Sequence, residues 1–272
     1  MRKSSKKSGE IAGVSTNNLC SLTILGTAGG GPIPHRAKSG LLLQVNGRLS
    51  LLDCGGGVYQ RFVDYGHDFA FLDCVFVSHT HPDHMSDLLL IAEAIYLTGR
   101  AEPFEIYVPD EFAEPCRNLL EATYLFPDRF PCPLEIIGYG DGFTFRGNFD
   151  LTAIGNTHLS KHSAALDSRT HSNRGQCHSF MIAHDGKRVL YSADIGTLDD
   201  LIPHWGGCDY VIIEAAHIEW QRFYAEAKQA HVGEFIITHL LSEAQAWDIQ
   251  QQAYAQGIGN IVVAHDGMKI SL

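Results

Sequence analysis

At 272 residues the chain has room for one α/β domain with a sizeable core, since such folds run to about 250 residues undivided. Hydrophobic residues make up 45% and charged residues 19%, and no apolar run reaches the ~18 to 20 residues of a membrane helix, so neither a membrane-spanning nor a largely disordered chain is expected. A formal charge of −11 argues against broad binding of an extended nucleic acid, which needs a clustered basic face.

The chain opens on basic residues (Met1 to Lys7), but Ser8 to Asn18 is polar and lacks the apolar centre of a secretory signal. Residues 1–20 therefore read as a disordered basic and polar tail, and 21–272 as a single domain. Leu22 to Gly26 reads as a strand running into the turn Gly29-Gly30-Gly31, and Leu41 to Val45 with Leu49 to Asp53 as a hairpin around Asn46-Gly47, where both turn positions need positive φ. Gly55 to Gly57 leads into a short helix, and Asp73 to Val77 is a buried strand that carries His79 at its carboxyl end. A helix over Met85–Leu97, a strand over Phe104–Val108 and a helix over Glu111–Tyr124 follow. Strands return at Leu134–Ile137, Phe143–Phe145 and Phe149–Ile154, then as a hairpin of Ser179–Ala183 and Arg188–Ser192 around Asp185-Gly186. After a strand at Tyr210–Glu214, a helix over Ile218–Ala230 and a strand at Phe235–Thr238, a helix over Ser242–Gln256 is capped by Ser242 and stopped at Gly257. Ile261–Ala264 and Met268–Leu272 form the closing pair of strands. Strands in two sets with helices after several of them predict two face-to-face sheets with helices outside, a four-layer α/β/β/α sandwich of the α/β class.

Seven cysteines (Cys20, Cys54, Cys74, Cys116, Cys132, Cys177, Cys208) are scattered and never spaced C-x-x-C. That fits neither a disulfide framework nor a structural zinc module, and points to a reducing cytoplasm.

The chemistry concentrates in His79-Thr80-His81-Pro82-Asp83-His84, three imidazoles and a carboxylate within six residues at a strand end. Two histidines two apart on an extended chain point the same way and can grip one metal, while Pro82 turns the chain so that Asp83 and His84 face a second. Imidazole with carboxylate suits zinc, manganese or iron, and no thiolate narrows the choice. The bland reading is a histidine-rich surface turn in a chain with 15 histidines.

This H-T-H-P-D-H element resembles the H-x-H-x-D-H signature of the metallo-β-lactamase superfamily, and further landmarks follow in order over roughly Leu22 to Leu272. The resemblance implies the metallo-β-lactamase fold and two divalent metals, zinc above all. Leu51-Leu52-Asp53-Cys54-Gly55 is similar to the early motif whose aspartate orients ligands, although Asp53 could also merely cap the Gly55 turn. Asn156-Thr157-His158 is similar to the third motif, which makes His158 the last ligand of a first metal beside His79 and His81; His162, His171 and His178 are the alternatives. Tyr191-Ser192-Ala193-Asp194 resembles the element whose aspartate bridges both metals, against a plain turn aspartate. Ile237-Thr238-His239-Leu240 resembles the fifth motif and completes the second site with Asp83 and His84, against a core histidine.

Two such metals would make a bridging hydroxide at neutral pH, so a hydrolase is expected. The flavodiiron branch of the superfamily carries a glutamate at the place of His81. The opening Leu22 to Gly29, Asp194 and Ile212-Ile213-Glu214-Ala215-Ala216-His217 look most like the ribonuclease Z and phosphodiesterase branch, whose H-E-A-T histidine acts near the leaving group. Here Ile213 stands at that position, and His217 with Glu214 could serve instead or could cap the next helix. Asp83, His217 and Glu214 are the candidate catalytic residues. No segment resembles the long arm of the transfer-RNA enzymes, and the loop Leu159–Gln176 carries Lys161, His162, Arg169, His171 and Arg174 against Asp167, a place where an anion could bind. The expectation is a phosphodiesterase acting on a small or cyclic nucleotide-like anion. A carboxylic ester, lactone, thioester or aryl sulfate is the competing substrate, and a non-catalytic metal-binding scaffold the reading of a different class. A homodimer is compatible, but no motif specifies one.

Overall fold

The computed structural model describes residues 20–167 and 173–272. The basic tail before Cys20, and Arg169 and His171 in the cationic loop, lie outside the described residues. Strands β1 (Cys20–Gly26), β2 (Gly40–Val45), β3 (Arg48–Leu52), β4 (Leu72–Phe76), β5 (Phe104–Pro109) and β6 (Leu134–Tyr139) build a first sheet. Strands β7 (Thr144–Arg146), β8 (Asp150–Gly155), β9 (His178–His184), β10 (Lys187–Tyr191), β11 (Tyr210–Glu214), β12 (Glu234–Thr238) and β13 (Ile261–Val263) build a second, and β14 (Met268–Ser271) returns to the first beside β1.

The hairpins at 46–47 and 185–186 form as expected, with φ of 51° at Asn46, 82° at Gly47, 46° at Asp185 and 80° at Gly186. Each sheet has an antiparallel half and a parallel half: β3, β4, β5 and β6 run parallel in one, β10, β11, β12 and β13 in the other. The inner parallel strands β4, β5, β11 and β12 are buried on both faces over most of their length, which is why they read as apolar runs, while the edge strands β6 and β13 are only partly buried. On β4, Cys74 and Phe76 point between the sheets, where they meet Leu151, Phe180 and Ile182. Val75 and Val77 point outward under helices α1 (Val58–Asp64), α2 (Pro82–Met85), α3 (Leu88–Thr98) and α4 (Asp110–Ala122), against Phe62, Ile91 and Leu120. On β11, Ile212 faces inward. Val211 and Ile213 face outward with Phe223 and Ile249, which lie on two of the second sheet's helices α6 (Ile202–Trp205), α7 (Trp220–Ala227) and α8 (Glu243–Ala255), while α5 (Ser163–Asp167) lies in the loop after β8. The four layers predicted from sequence are present.

Three local expectations change. The helix expected over Met85–Leu97 is two helices, because the chain at 84–87 bonds to the loop after β3: Cys54 N–H donates to His84 O, Asp87 N–H donates to Cys54 O, and the Asp87 carboxylate accepts from Gly57 and Tyr59 N–H. The helix expected over Ile218–Ala230 is confined to α7. The last two strands do not pair with each other: β13 joins β12 in parallel, the chain turns at Gly267 (φ 86°), whose N–H donates to Ile24 O, and β14 pairs antiparallel with β1. Helix α8 starts at the expected cap, with Ser242 Oγ accepting from Gln245 N–H. No helix among the described residues is long and apolar enough to cross a membrane, and all seven cysteines are buried and unpaired.

The pairing brings the functional segments to one edge. Parallel β3 and β4 end side by side, as do β10, β11 and β12, and β8 runs in the direction of β10. Ligand sites in open α/β sheets gather at the carboxyl ends of such strands. Asp53, His79, His158, Asp194 and His239 follow strand ends on that edge, and Glu214 is the last residue of β11.

Candidate metal centre

His79 leaves β4, and His81 is still extended (φ −64°, ψ 141°) when Pro82 opens α2, which carries Asp83 and His84 around the turn. His79 Nε2 lies 3.1 Å from His81 Nδ1, and His158 Nε2 lies 3.2 Å from the same atom. The donor atoms of His79, His81, His158 and Asp194 all fall within 4.8 Å of one another, as do those of Asp83, His84 and His239. Asp194 spans the two groups: Oδ2 is 3.6 Å from His158 Nε2, while Oδ1 is 3.1 Å from His84 Nε2 and 3.3 Å from His239 Nε2. Asp83 Oδ2 sits 3.7 Å from His239 Nε2. The structure thus brings together all seven side chains that the sequence and the resemblance nominated as ligands.

The donors fit divalent cations. Zinc–nitrogen bonds of about 2.0–2.1 Å at tetrahedral angles hold nitrogens about 3.3 Å apart, close to the separations seen here. His84 Nε2 and Asp194 Oδ1 are buried without a hydrogen-bond partner, a costly state for polar atoms that a cation between them relieves.

Neighbouring groups fix which nitrogens face inward. Asp53 Oδ1 accepts from Ser78 N–H at 2.7 Å, and Oδ2 accepts from Ser78 Oγ at 2.9 Å and Tyr191 hydroxyl at 2.8 Å while facing His84 Nδ1 at 2.8 Å. With its proton on Asp53, Ser78 Oγ can only accept from His79 Nδ1, 3.1 Å away, which leaves His79 Nε2 as a lone pair. His84 Nδ1–H on the Asp53 carboxylate leaves Nε2 bare in the same way. Asp53 does not cap the Gly55 turn, whose N–H donates to Ser39 O. His239 Nδ1 meets Ser39 Oγ at 2.8 Å. Asp53, Ala193 and His239 hold φ of 60°, 48° and 53°, backbone states uncommon outside glycine that cluster at functional sites. Gly55 is required by close approach, since a Cβ there would fall 1.9 Å from Asp83 O.

The charges agree. Burial pushes His79 well down, lowers His81 and His239, and lowers His158 to about 4, so these imidazoles are neutral lone-pair donors at neutral pH. At Asp194 burial acts upward, but His84 and then His239 hold the carboxyl well below the usual range. At His84 burial acts downward and is outweighed by Asp194 and Asp53. The field at its ring favours positive charge, which is what a divalent cation brings.

Beside this cluster, His217 Nδ1 lies 2.9 Å from Glu214 Oε1, and its ring centroid is 4.8 Å from that of His158. Glu214 is fully buried, and its Oε2 accepts from Ala216 and His217 N–H. The hydrogen bond to Glu214 raises the His217 pKa above its ordinary value against burial. Ile213 faces the outer layer, so a side chain at that position points away from the centre. A notch of about 150 Å³ opens here, lined by Thr157, Lys161, Gly196, Thr197 and His217 among others. His178 packs instead against Tyr139, with centroids 4.8 Å apart and the rings tilted by 50°, and His162 stays on the rim, 6.2 Å from His81 by ring centroid. Sequence reasoning missed Ser39 and Lys38, whose ammonium donates to the carbonyls of Gly29, Gly30 and Gly31. The Gly29–Gly31 run was the available signal for a held loop.

The sequence profile of the β-lactamase superfamily domain matches residues 48–251, which contain every one of these side chains except Ser39 and Lys38. The chain belongs to the β-lactamase superfamily. Superfamily membership implies divalent metal, commonly zinc, and the histidine and aspartate cluster is where this chain could hold it. Ribonuclease Z of Myxococcus xanthus (strain DK1622) is 34% identical over 142 residues, 52% of this chain and 45% of that protein, so the match spans less than half the relative's length. Among solved structures, the metallo-β-lactamase fold protein YhfI from Bacillus subtilis superposes with a TM-score of 0.74 at 23% identity, covering 94% of this chain and all (100%) of that one. The short form of human tRNase Z superposes with a TM-score of 0.66 at 20% identity, covering 92% and 98%. The metallo-β-lactamase fold read from the sequence is the fold of this superfamily member.

Proposed function

We propose that this chain is a dinuclear metal-dependent hydrolase that cleaves a phosphodiester in a small, anionic, nucleotide-like substrate. The observation that carries the reading is Asp194 reaching one carboxylate oxygen toward each of two donor groups, with the His217–Glu214 pair beside them. His79, His81 and His158 would hold one cation and Asp83, His84 and His239 the other, zinc fitting the donors best and manganese or iron also compatible. Bound there, two divalent cations lower the pKa of a water toward neutrality and polarise the oxygen of the bond under attack.

The chain's own residues do the rest. Glu214 fixes the His217 ring with Nδ1–H on its carboxylate, so Nε2 can carry a proton to a departing oxygen near His158. Lys161 in the notch places a cation where a non-bridging oxygen or a second anionic group would lie. Asp53 and Ser39 hold the imidazoles in position.

The Ribonuclease Z relatives support phosphodiester chemistry, and their name points to RNA. We favour a small substrate because of the net charge of −11 and because the cationic groups at the site are few: among the described residues Lys38 is engaged by three carbonyls, which leaves Lys161 in the notch and the exposed Arg174 on the loop.

The test is metal content of the purified protein together with hydrolysis of bis-p-nitrophenyl phosphate, set against a lactone and an aryl sulfate, before and after chelation. We expect near two metals per chain and diester cleavage that chelation abolishes. Turnover of lactone or sulfate alone would overturn the substrate, and saturating metal with no turnover of any ester would favour the scaffold. His217→Ala is expected to slow substrates with poor leaving groups more than activated ones. Equal loss on both would make His217 a structural or binding contact.

A further inference from the structure

Around the rim, His162, His81, His158 and His217 follow one another with ring-centroid steps of 6.2, 5.1 and 4.8 Å. The two ends of this row differ in chemistry. The His217 end opens on the polar notch that holds Lys161. The other end, at His162 and His81, opens on a separate cavity of about 280 Å³, lined by His81, Glu111, Leu159, His162, Leu166 and Gly175 among others. Its walls are mainly carbon, and its volume falls just under the roughly 300 Å³ at which pockets for drug-sized ligands begin.

The cavity is built by side chains fixed from both ends of the loop. Leu159 is buried directly after His158, and Gly175, whose φ of 75° favours glycine, lies in contact range of Leu166 and Leu159. The buried Glu111 at the start of α4 accepts from the backbone N–H of Arg174 and Gln176 and ties the returning chain to the first sheet's helix. Each of its carboxylate oxygens accepts one of those donors, so the charge is held toward the returning backbone at one side of the cavity.

We propose that this cavity receives the ring of the substituent that stays on phosphorus when the ester is cleaved. The inference rests on the phosphodiester reading above. A proton donated by His217 places the leaving oxygen at the notch end, so the retained substituent lies toward His81, where it meets Leu159 and Leu166. The substrate class is then a phosphodiester whose retained side carries one apolar or heterocyclic ring.

The test separates the cavity from the reaction. Phenylphosphonate and methylphosphonate are titrated into the metal-loaded protein by calorimetry. Phenylphosphonate is expected to bind at least about tenfold tighter, which burial of part of one ring supplies. Leu166→Trp, which fills the cavity, should remove that preference and leave methylphosphonate within about twofold, and Leu166→Ala should reduce it. Equal affinity in the wild type, or an unchanged preference in a folded Leu166→Trp protein, overturns the assignment. In turnover, phenyl p-nitrophenyl phosphate and methyl p-nitrophenyl phosphate share a leaving group and differ in the retained one. The same preference is expected in kcat/KM, and equal kcat/KM for both overturns it. If the phosphonate preference holds while neither diester is cleaved, the cavity stands and the phosphodiester reading falls.

Discussion

The first sheet delivers His79, His81, Asp83 and His84 from a single turn, whereas the second delivers His158, Asp194 and His239 from the ends of three different strands. In the first group, covalent geometry keeps the side chains together: an extended pair, a proline and one helical turn. In the second, only strand pairing does so, and each residue owes its place to a register set elsewhere in the sheet. The supports differ likewise. His84 rests on a buried carboxylate that also engages Ser78 and Tyr191, while His239 rests on the Ser39 hydroxyl. The local half is therefore braced by a charged network, the distal half by one hydroxyl at His239 and no hydrogen bond at His158 Nδ1, and Asp194 is where the halves meet.

Substituting the meeting point should have the largest effect. Asp194→Ala is expected to cost at least one metal per chain and lower turnover by about a thousandfold or more, as several kcal/mol of charge stabilisation disappear. Metal analysis with turnover checks this, and full occupancy with near-normal activity would dissolve the link between the halves. His81→Ala removes one local ligand; turnover should fall by about a hundredfold or more while the second site keeps its metal. A fully active and fully metallated variant would sink the ligand assignment.

The braces sharpen the contrast. Asp53→Ala leaves Ser78, Tyr191 and His84 without their acceptor, so metal affinity should fall about 10- to 100-fold and unfolding free energy by about 1–3 kcal/mol or more. Competition with a chelator and chemical denaturation measure the two. Ser39→Ala removes one contact to His239 and should weaken metal binding about tenfold or less, with about 1 kcal/mol of stability. Ser39→Ala matching Asp53→Ala in both would show that the two halves are braced equally.

Much of this is legible in the order of the residues. Strands buried on both faces announce themselves as apolar runs, the Asn46-Gly47 and Asp185-Gly186 turns need positive φ, and the six-residue cluster is a local pattern. The helix break at Ser86–Asp87 is not, because Asp87 bonds to Cys54, Gly57 and Tyr59, which no helical periodicity reveals. The placement of Ile213 in the outer layer likewise follows from which face of β11 meets α7 and α8.

By itself, then, the sequence determined the four-layer architecture, the turns and the dense turn of ligands at the end of β4, since each depends on residues a few positions apart. Tertiary structure alone decided that β13 and β14 part to different sheets, that Ser39 reaches His239, and that Leu159, Leu166 and Gly175 enclose a cavity beside His81. Those contacts join residues far apart in the chain or across a loop, and nothing in local propensity encodes them; they exist only once both sheets have paired in register and closed on a common core.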